Sequence, residues 1–269
     1  MKKHYSILAL MLGFLPLAAQ SQTAPDYLWA TVLPLTYNAE TYLNAEIYSV
    51  AATPQNEVVV AGTKQVNRSF SAAFFGNQQL VKYDAAGEQL WAKEWTGNAR
   101  IHNIKTGASG KIFVLGTYID SVRLGAQHNL MGSGVPGAYF ACLTASGEVE
   151  WVKHLSDMYG SAAFANVTKT DGLALDAQGN SYITYSVGLN GGSFMRKFDA
   201  AGNSVLAIEH QEVRDLNSVD VDANGNIYIS GSCAEMQGAT FGGTAVTPQV
   251  PGNGYNKFVA RYSAAGSLV

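Results

Sequence analysis

From residue 45 onward, apolar and polar residues alternate in short runs broken by glycine, asparagine and aspartate. That period of two predicts β-strands joined by tight turns, and outside the first 25 residues no stretch keeps a helical period. The runs repeat. The segments "LVKYDAAGEQLWAKEW" (80–95), "FACLTASGEVEWVKHL" (140–155), "MRKFDAAGNSVLAIEH" (195–210) and "VARYSAAGSLV" (259–269) align without gaps on Gly87, Gly147, Gly202 and Gly266. Successive glycines lie 60, 55 and 64 residues apart. A second segment precedes each: "PQNEVVVAGT" (54–63), "ASGKIFVLGT" (108–117), "AQGNSYITYS" (177–186) and "ANGNIYISGS" (223–232). A short β-prone run opens each unit, at 45–53, 101–106, 172–176 and 217–222.

Each unit therefore reads as four strands, with boundaries near 45–95, 100–155, 170–210 and 216–269. In the second strand both faces are apolar: Val58 and Val60, Ile112 and Val114, Ile227 and Ile229 alternate with Val59, Phe113 and Tyr228. A strand buried on both sides belongs in a sheet stacked between other sheets. Four-stranded units of this period predict an all-β chain with β-propeller architecture, in preference to a sandwich or solenoid. The segments between second and third strands, at 65–77, 118–138, 187–192 and 233–256, differ in length and composition, and are the expected carriers of binding specificity.

The stretch "YDAAGEQLW" (83–91) places an acid, a glycine and a tryptophan at fixed spacing. It predicts a three-residue hairpin loop: Asp84 starts a type I turn, Gly87 takes the left-handed conformation, and the Asp84 carboxylate accepts from the turn's own backbone. Trp91 and Trp151 then fall in the fourth strand, and so does Trp29 of "YLWATVLP" (27–34). Residues 27–34 are thus an extra blade strand. Either they complete the last unit of a four-bladed ring, or the chain is the leading part of a longer propeller. Stopping mid-strand leaves backbone groups unpaired, which favours the second.

The strand with D-x-x-G-N-x-Y-x-x-G, the insert with "FGG" and the strand F-V-A-R-Y-x-x-x-G resemble the SBBP-type propeller repeats, over about 27–269 and best in the fourth unit. The first unit departs with Pro54-Gln55-Asn56 in place of the glycine turn, and the third with Tyr185 and Leu206 where Gly and Trp are usual. The resemblance implies a secreted protein of Bacteroidota-like bacteria, of a kind often associated with type IX secretion and generally without a defined activity.

The first residues agree on compartment. Lys2 and Lys3, an apolar run from Tyr5 to Ala19 interrupted by Pro16, and small residues near Ser21 form a signal peptide over 1–21, too short for a bilayer span. The expected location is therefore secreted or at the cell surface. Charged residues make up 14% and the net charge is −3, which gives no electrostatic footprint for nucleic acid or anionic lipid. Two cysteines, Cys142 and Cys233, are too few for a disulfide framework.

Candidate chemistry is sparse. The loops "DAQGN" (176–180) and "DANGN" (222–226) resemble the start of a calcium loop but lack its full spacing and closing glutamate, so they read as turns. His102, His128, His154 and His210 fall in different units with no metal spacing. Cys142 occupies the strand position held elsewhere by Lys82, Lys197 and Arg261, not a nucleophile elbow. The polar residues of the first strands, Glu46, His102, Asp171 and Asp220, are too mixed to name a mechanism. No catalytic, cofactor-binding or metal-binding residue is assigned, and no cofactor. The expected role is a monomeric, non-enzymatic binding, adhesion or scaffold module whose inserts contact an extracellular glycan or protein. The alternative is a propeller enzyme acting on extracellular glycans or similar polymers.

Overall fold

A computed structural model describes residues 46–66, 76–132, 137–155, 167–169, 172–187, 192–233, 239–246 and 256–269. The expected signal peptide at 1–21, the expected extra strand at 27–34 with Trp29, and Asp171 lie outside the described residues. The described chain is strands and turns, with no α-helix.

The strands form antiparallel meanders. In the first, β1 (Glu46–Ala52), β2 (Val58–Val66), β3 (Gly76–Tyr83) and the start of β4 (Gln89–Thr106) pair in sequence order. The rest of β4 opens the second, followed by β5 (Ile112–Leu124), β7 (Gly137–Leu143) and β8 (Val149–His154). In the third, β10 (Leu173–Leu175), β11 (Ser181–Val187), β12 (Ser193–Phe198) and β13 (Ser204–Gln211) pair in order, with β9 (Val167–Lys169) beside β11. In the fourth, β14 (Val213–Val221), β15 (Ile227–Cys233) and β18 (Asn256–Tyr262) form a three-stranded sheet, and Leu268 bridges back to Tyr262.

The turn assignment holds in detail. Gly87 has φ 85°, its N–H donates to Asp84 O at 3.1 Å, and Asp84 Oδ1 accepts from Ala86 N and Glu88 N at 2.9 Å each. The same backbone pattern closes the turns that start at Thr144, Asp199 and Ser263. It also closes the turns between first and second strands, at Thr53, Gly107, Asp176 and Asp222. Asn56 fills the left-handed position of the first of these with φ 60°, so the Pro54-Gln55-Asn56 departure changes the residue and keeps the turn.

Three apolar clusters lie between successive meanders, and the second strands of the two middle meanders, β5 and β11, each feed two of them. Ile112 and Val114 pack with Val59, Ala61 and Leu80 of the first meander. Phe113 and Leu115, on the opposite face of β5, pack with Ile183, Tyr185 and Phe198 of the third. Tyr182 and Met195 of the third pack with Ile227 and Ile229 of the fourth. This face-to-face stacking of β-meanders is the propeller architecture. The turn glycines set the spacing. A Cβ on Gly202 would lie 2.8 Å from the Trp151 ring of the preceding meander, and one on Gly147 would lie 3.2 Å from Trp91.

One expectation is corrected. The fourth strand of the first unit and the first strand of the second are not separate: β4 runs unbroken through both. The reason is the insert. β5 continues to Leu124 and pairs with Thr96 and Gly97, so the ladder spans the junction.

Candidate functional site

The inserts contribute structure that the sequence pattern alone did not predict. β5 turns at Gly125 into β6 (His128–Met131), and this hairpin lies against the outer strand of the first meander through the Thr96–Arg123 pair. The same device recurs in the fourth unit. β16 (Ala239–Phe241) and β17 (Thr244–Val246) form a hairpin that pairs with the outer strand of the third meander at His210–Phe241 and Gln211–Thr240. The available signal was a β-prone run on each side of a glycine, in "VRLGAQHNL" (122–130) and "ATFGGTAV" (239–246). Length variation hid it, because a gapless alignment discards the inserts.

Each hairpin frames an open hollow with the strand it covers. The first, about 460 Å³, is lined by Thr96, Ser121, Arg123, Gln127 and Asn129. The Arg123 guanidinium donates to Gly125 O and Ala126 O at 3.3 Å each, which fixes the hairpin turn and presents the remaining N–H groups. The second hollow, about 540 Å³, is lined by Leu206, Ile208, Glu209, Gln211 and Thr240 with the Gly242–Gly243 turn. It is the more apolar of the two. A third recess, about 440 Å³, lies where β4, β10 and β14 run side by side, with Asn103, Lys105, Ser218 and Asp220 around Leu173 and Val219.

Of the first-strand polar residues whose side chains are described, Asp220 and His102 have separate partners. Asp220 is exposed at the third recess, and its Oδ1 accepts from Val221 N at 2.9 Å. His102 points to Thr117, with Nε2 2.8 Å from Oγ1. Glu46 opens β1.

The remaining titratable candidates have structural roles. His210 and His154 differ by one residue in the repeat register: His210 stands where Trp95 and Leu155 stand, and His154 where Glu94 and Glu209 stand. His154 Nε2 lies 2.6 Å from Tyr118 Oη. His210 is fully buried, with Nδ1 3.3 Å from Ser193 O and Nε2 2.8 Å from Tyr262 Oη. A carbonyl only accepts, so Nδ1 carries the proton and Nε2 accepts from the tyrosine. Burial lowers the His210 pKa to about 4, against the smaller upward pull of Ser193 O.

Cys142 is buried against the third meander, and desolvation, with the nearby Glu150 carboxylate, raises its thiol to about 12 against the lowering pull of Lys111. Cys142 and Cys233 are both buried thiols.

The two calcium-like loops are turns with their carboxylates fully engaged. Asp176 accepts from Gln178 N, Asn180 N, Asn180 Nδ2 and Tyr182 Oη at 2.7–3.0 Å. Burial alone would raise its pKa, but these donors and the Lys197 charge outweigh it and the carboxyl is held low. Asp222 repeats the arrangement with Asn224, Asn226 and Tyr228. Among the described residues no group of three or more His, Cys, Asp or Glu is placed to hold a metal ion, and no helix is long and apolar enough to cross a membrane.

No protein-family model matches the chain, and no curated protein matches it. Solved structures do resemble it. A protein of unknown function from Bacteroides caccae matches at 11% identity and TM-score 0.42, over 84% of this chain and 80% of that one. The Dos1 propeller matches at 12% identity and TM-score 0.44, over 83% and 59%. Dipeptidyl peptidase 4 from Porphyromonas gingivalis matches at 11% identity and TM-score 0.45, over 82% and 30%, so the chain spans less than a third of that enzyme. At these identities and scores no activity transfers, and the assignment to all-β propeller architecture stands on the stacked meanders themselves.

Proposed function

We propose that the protein is an exported, non-enzymatic propeller module that binds an extracellular glycan in the hollows framed by its insert hairpins. The observation that carries this reading is the recurrence of one device: in two units an insert hairpin leans on the preceding outer strand and leaves an open hollow beside it. Thr96, Ser121, Gln127 and Asn129 offer hydroxyl and amide groups of the kind that pair with sugar hydroxyls, and Arg123 adds a fixed cation. Export rests on the charged, apolar and small-residue pattern of 1–21, and secretion by Bacteroidota-like bacteria on the similarity to SBBP-type repeats.

A glycan array followed by titration calorimetry tests the assignment. A hit should bind the intact protein without turnover, and Gln127→Ala with Asn129→Ala should weaken it at least tenfold while leaving the melting temperature unchanged. Absence of any hit, affinity indifferent to the double variant, or cleavage of the bound glycan contradicts it.

A further inference from the structure

The outer face of the β5–β6 hairpin is built around one cation. Thr96, Arg123 and Asn129 are cross-strand partners on β4, β5 and β6, so their side chains form a row on one face, with successive Cβ atoms roughly 5 Å apart. Ser121, opposite Met131, stands in the next row of that face. The other face anchors the platform: Val122 and Leu124 are fully buried in the first apolar cluster, and Leu130 packs against it.

Arg123 is set to receive an anion. Its Nε and Nη2 donate to Gly125 O and Ala126 O, which commits the side edge of the guanidinium to the hairpin turn. The end edge is left, with one N–H on Nη1 and one on Nη2, and that fork matches the two oxygens of a carboxylate. The lysines of the first meander each meet a glutamate: Lys64 meets Glu94, Lys82 meets Glu57 and Lys93 meets Glu148. Among the described residues no carboxylate pairs with Arg123, and none lines its hollow. The second hollow is the reverse case, with the Glu209 carboxylate beside Leu206 and Ile208.

We propose that the hollow at Arg123 takes a uronic acid residue, so that the glycan bound is an acidic one; this rests on the glycan reading above. The sugar carboxylate lies on the end edge of Arg123. The Thr96 hydroxyl and the Asn129 amide, on either side, pair with the sugar oxygens that flank the carboxylate. Asn129 Nδ2 donates to Met131 Sδ at 3.4 Å, which leaves Oδ1 to accept from a sugar hydroxyl. Glu209 repels the same residue from the second hollow, so the acidic sugar is read at the first alone.

The test is titration calorimetry of the whole protein with tetramers of α-1,4-galacturonate and β-1,4-mannuronate, each beside its carboxyl-reduced neutral counterpart. At least one acidic tetramer should bind at least about tenfold more tightly than its counterpart, the margin of a charge-assisted bidentate pair. Arg123→Gln should bind both forms alike, at the affinity of the native protein for the neutral form, which an unfolded variant could not show. Arg123→Lys keeps the charge but loses the fork, and should restore no more than about a threefold preference. A preference that survives Arg123→Gln, or full preference in Arg123→Lys, overturns the inference. So does equal binding of acidic and neutral tetramers; if Gln127→Ala with Asn129→Ala still weakens both, the glycan reading stands without it. Failure of both acidic tetramers to bind overturns it as well, and a neutral hit on the glycan array then leaves the broader reading intact.

Discussion

His210 shows how one residue links the repeat to its environment. The position is buried in three units, as Trp95, Leu155 and His210, and only the third carries a titratable group there. Because the folded imidazole has a pKa of about 4, below its ordinary 6.5, the fold holds the neutral form and the unfolded chain binds the proton more readily. Stability is therefore complete above pH 6.5, falls as pH drops from 6.5 towards 4, and levels off below that. The loss reaches at most about 3 kcal/mol at 1.36 kcal/mol per pH unit. Urea-unfolding free energies at pH 7.5 and 4.5 should differ by that order in the native protein and by clearly less in His210→Gln. An equal difference in both would remove His210 as the source. Asp176 adds to acid sensitivity only at lower pH, since a depressed carboxyl loses its contribution as pH falls through its folded pKa.

At the scale of elements, the strands and their turns were legible in the sequence and the insert hairpins were not. Alternation marked Ile112–Val114 as a strand buried on both faces, while Val58 and Val60, expected to be so too, are only half-buried beside Val59. Asp84 with Gly87 marked the turn type, because local backbone chemistry decides it. The β5–β6 and β16–β17 hairpins escaped because their partners are the outer strands of other units, and no local pattern encodes a long-range pairing. The same gap hid the hollows beside Asn129 and Thr240, which exist only once hairpin and strand meet. First-strand polar residues were legible as individuals, but Asp220 at the third recess and His102 bonded to Thr117 show that a shared repeat position did not bring these two side chains together.

The hairpins also carry weight in the core. Phe241 is 3% exposed and meets the rings of His210 at 5.6 Å and Phe258 at 4.7 Å, both edge-on. Phe241→Ala should cost about 3–5 kcal/mol, as a buried aromatic truncation does, measured by denaturant unfolding. A cost below about 1 kcal/mol would mean the hairpin merely rests on the surface.

Across the molecule, the period of 55–64 residues is a packing distance written in sequence: Gly147, Gly202 and Gly266 each mark where a meander lies on the one before it. Trp151 and Gly202 are the sharpest case, since the ring fills the space a Cβ would need at 2.8 Å. Gly202 also sits at φ 81°, so replacing it has two separable costs, backbone strain of about 1 kcal/mol and overpacking of about 1–3 kcal/mol. A double-mutant cycle on these two positions tests the face-to-face stacking most directly. Gly202→Ala should destabilise the native background by about 2–4 kcal/mol and the Trp151→Ala background by only about 1 kcal/mol, because removing the ring leaves the strain alone. Equal costs in both backgrounds would contradict the stacking of one meander's turn on the preceding meander's outer strand.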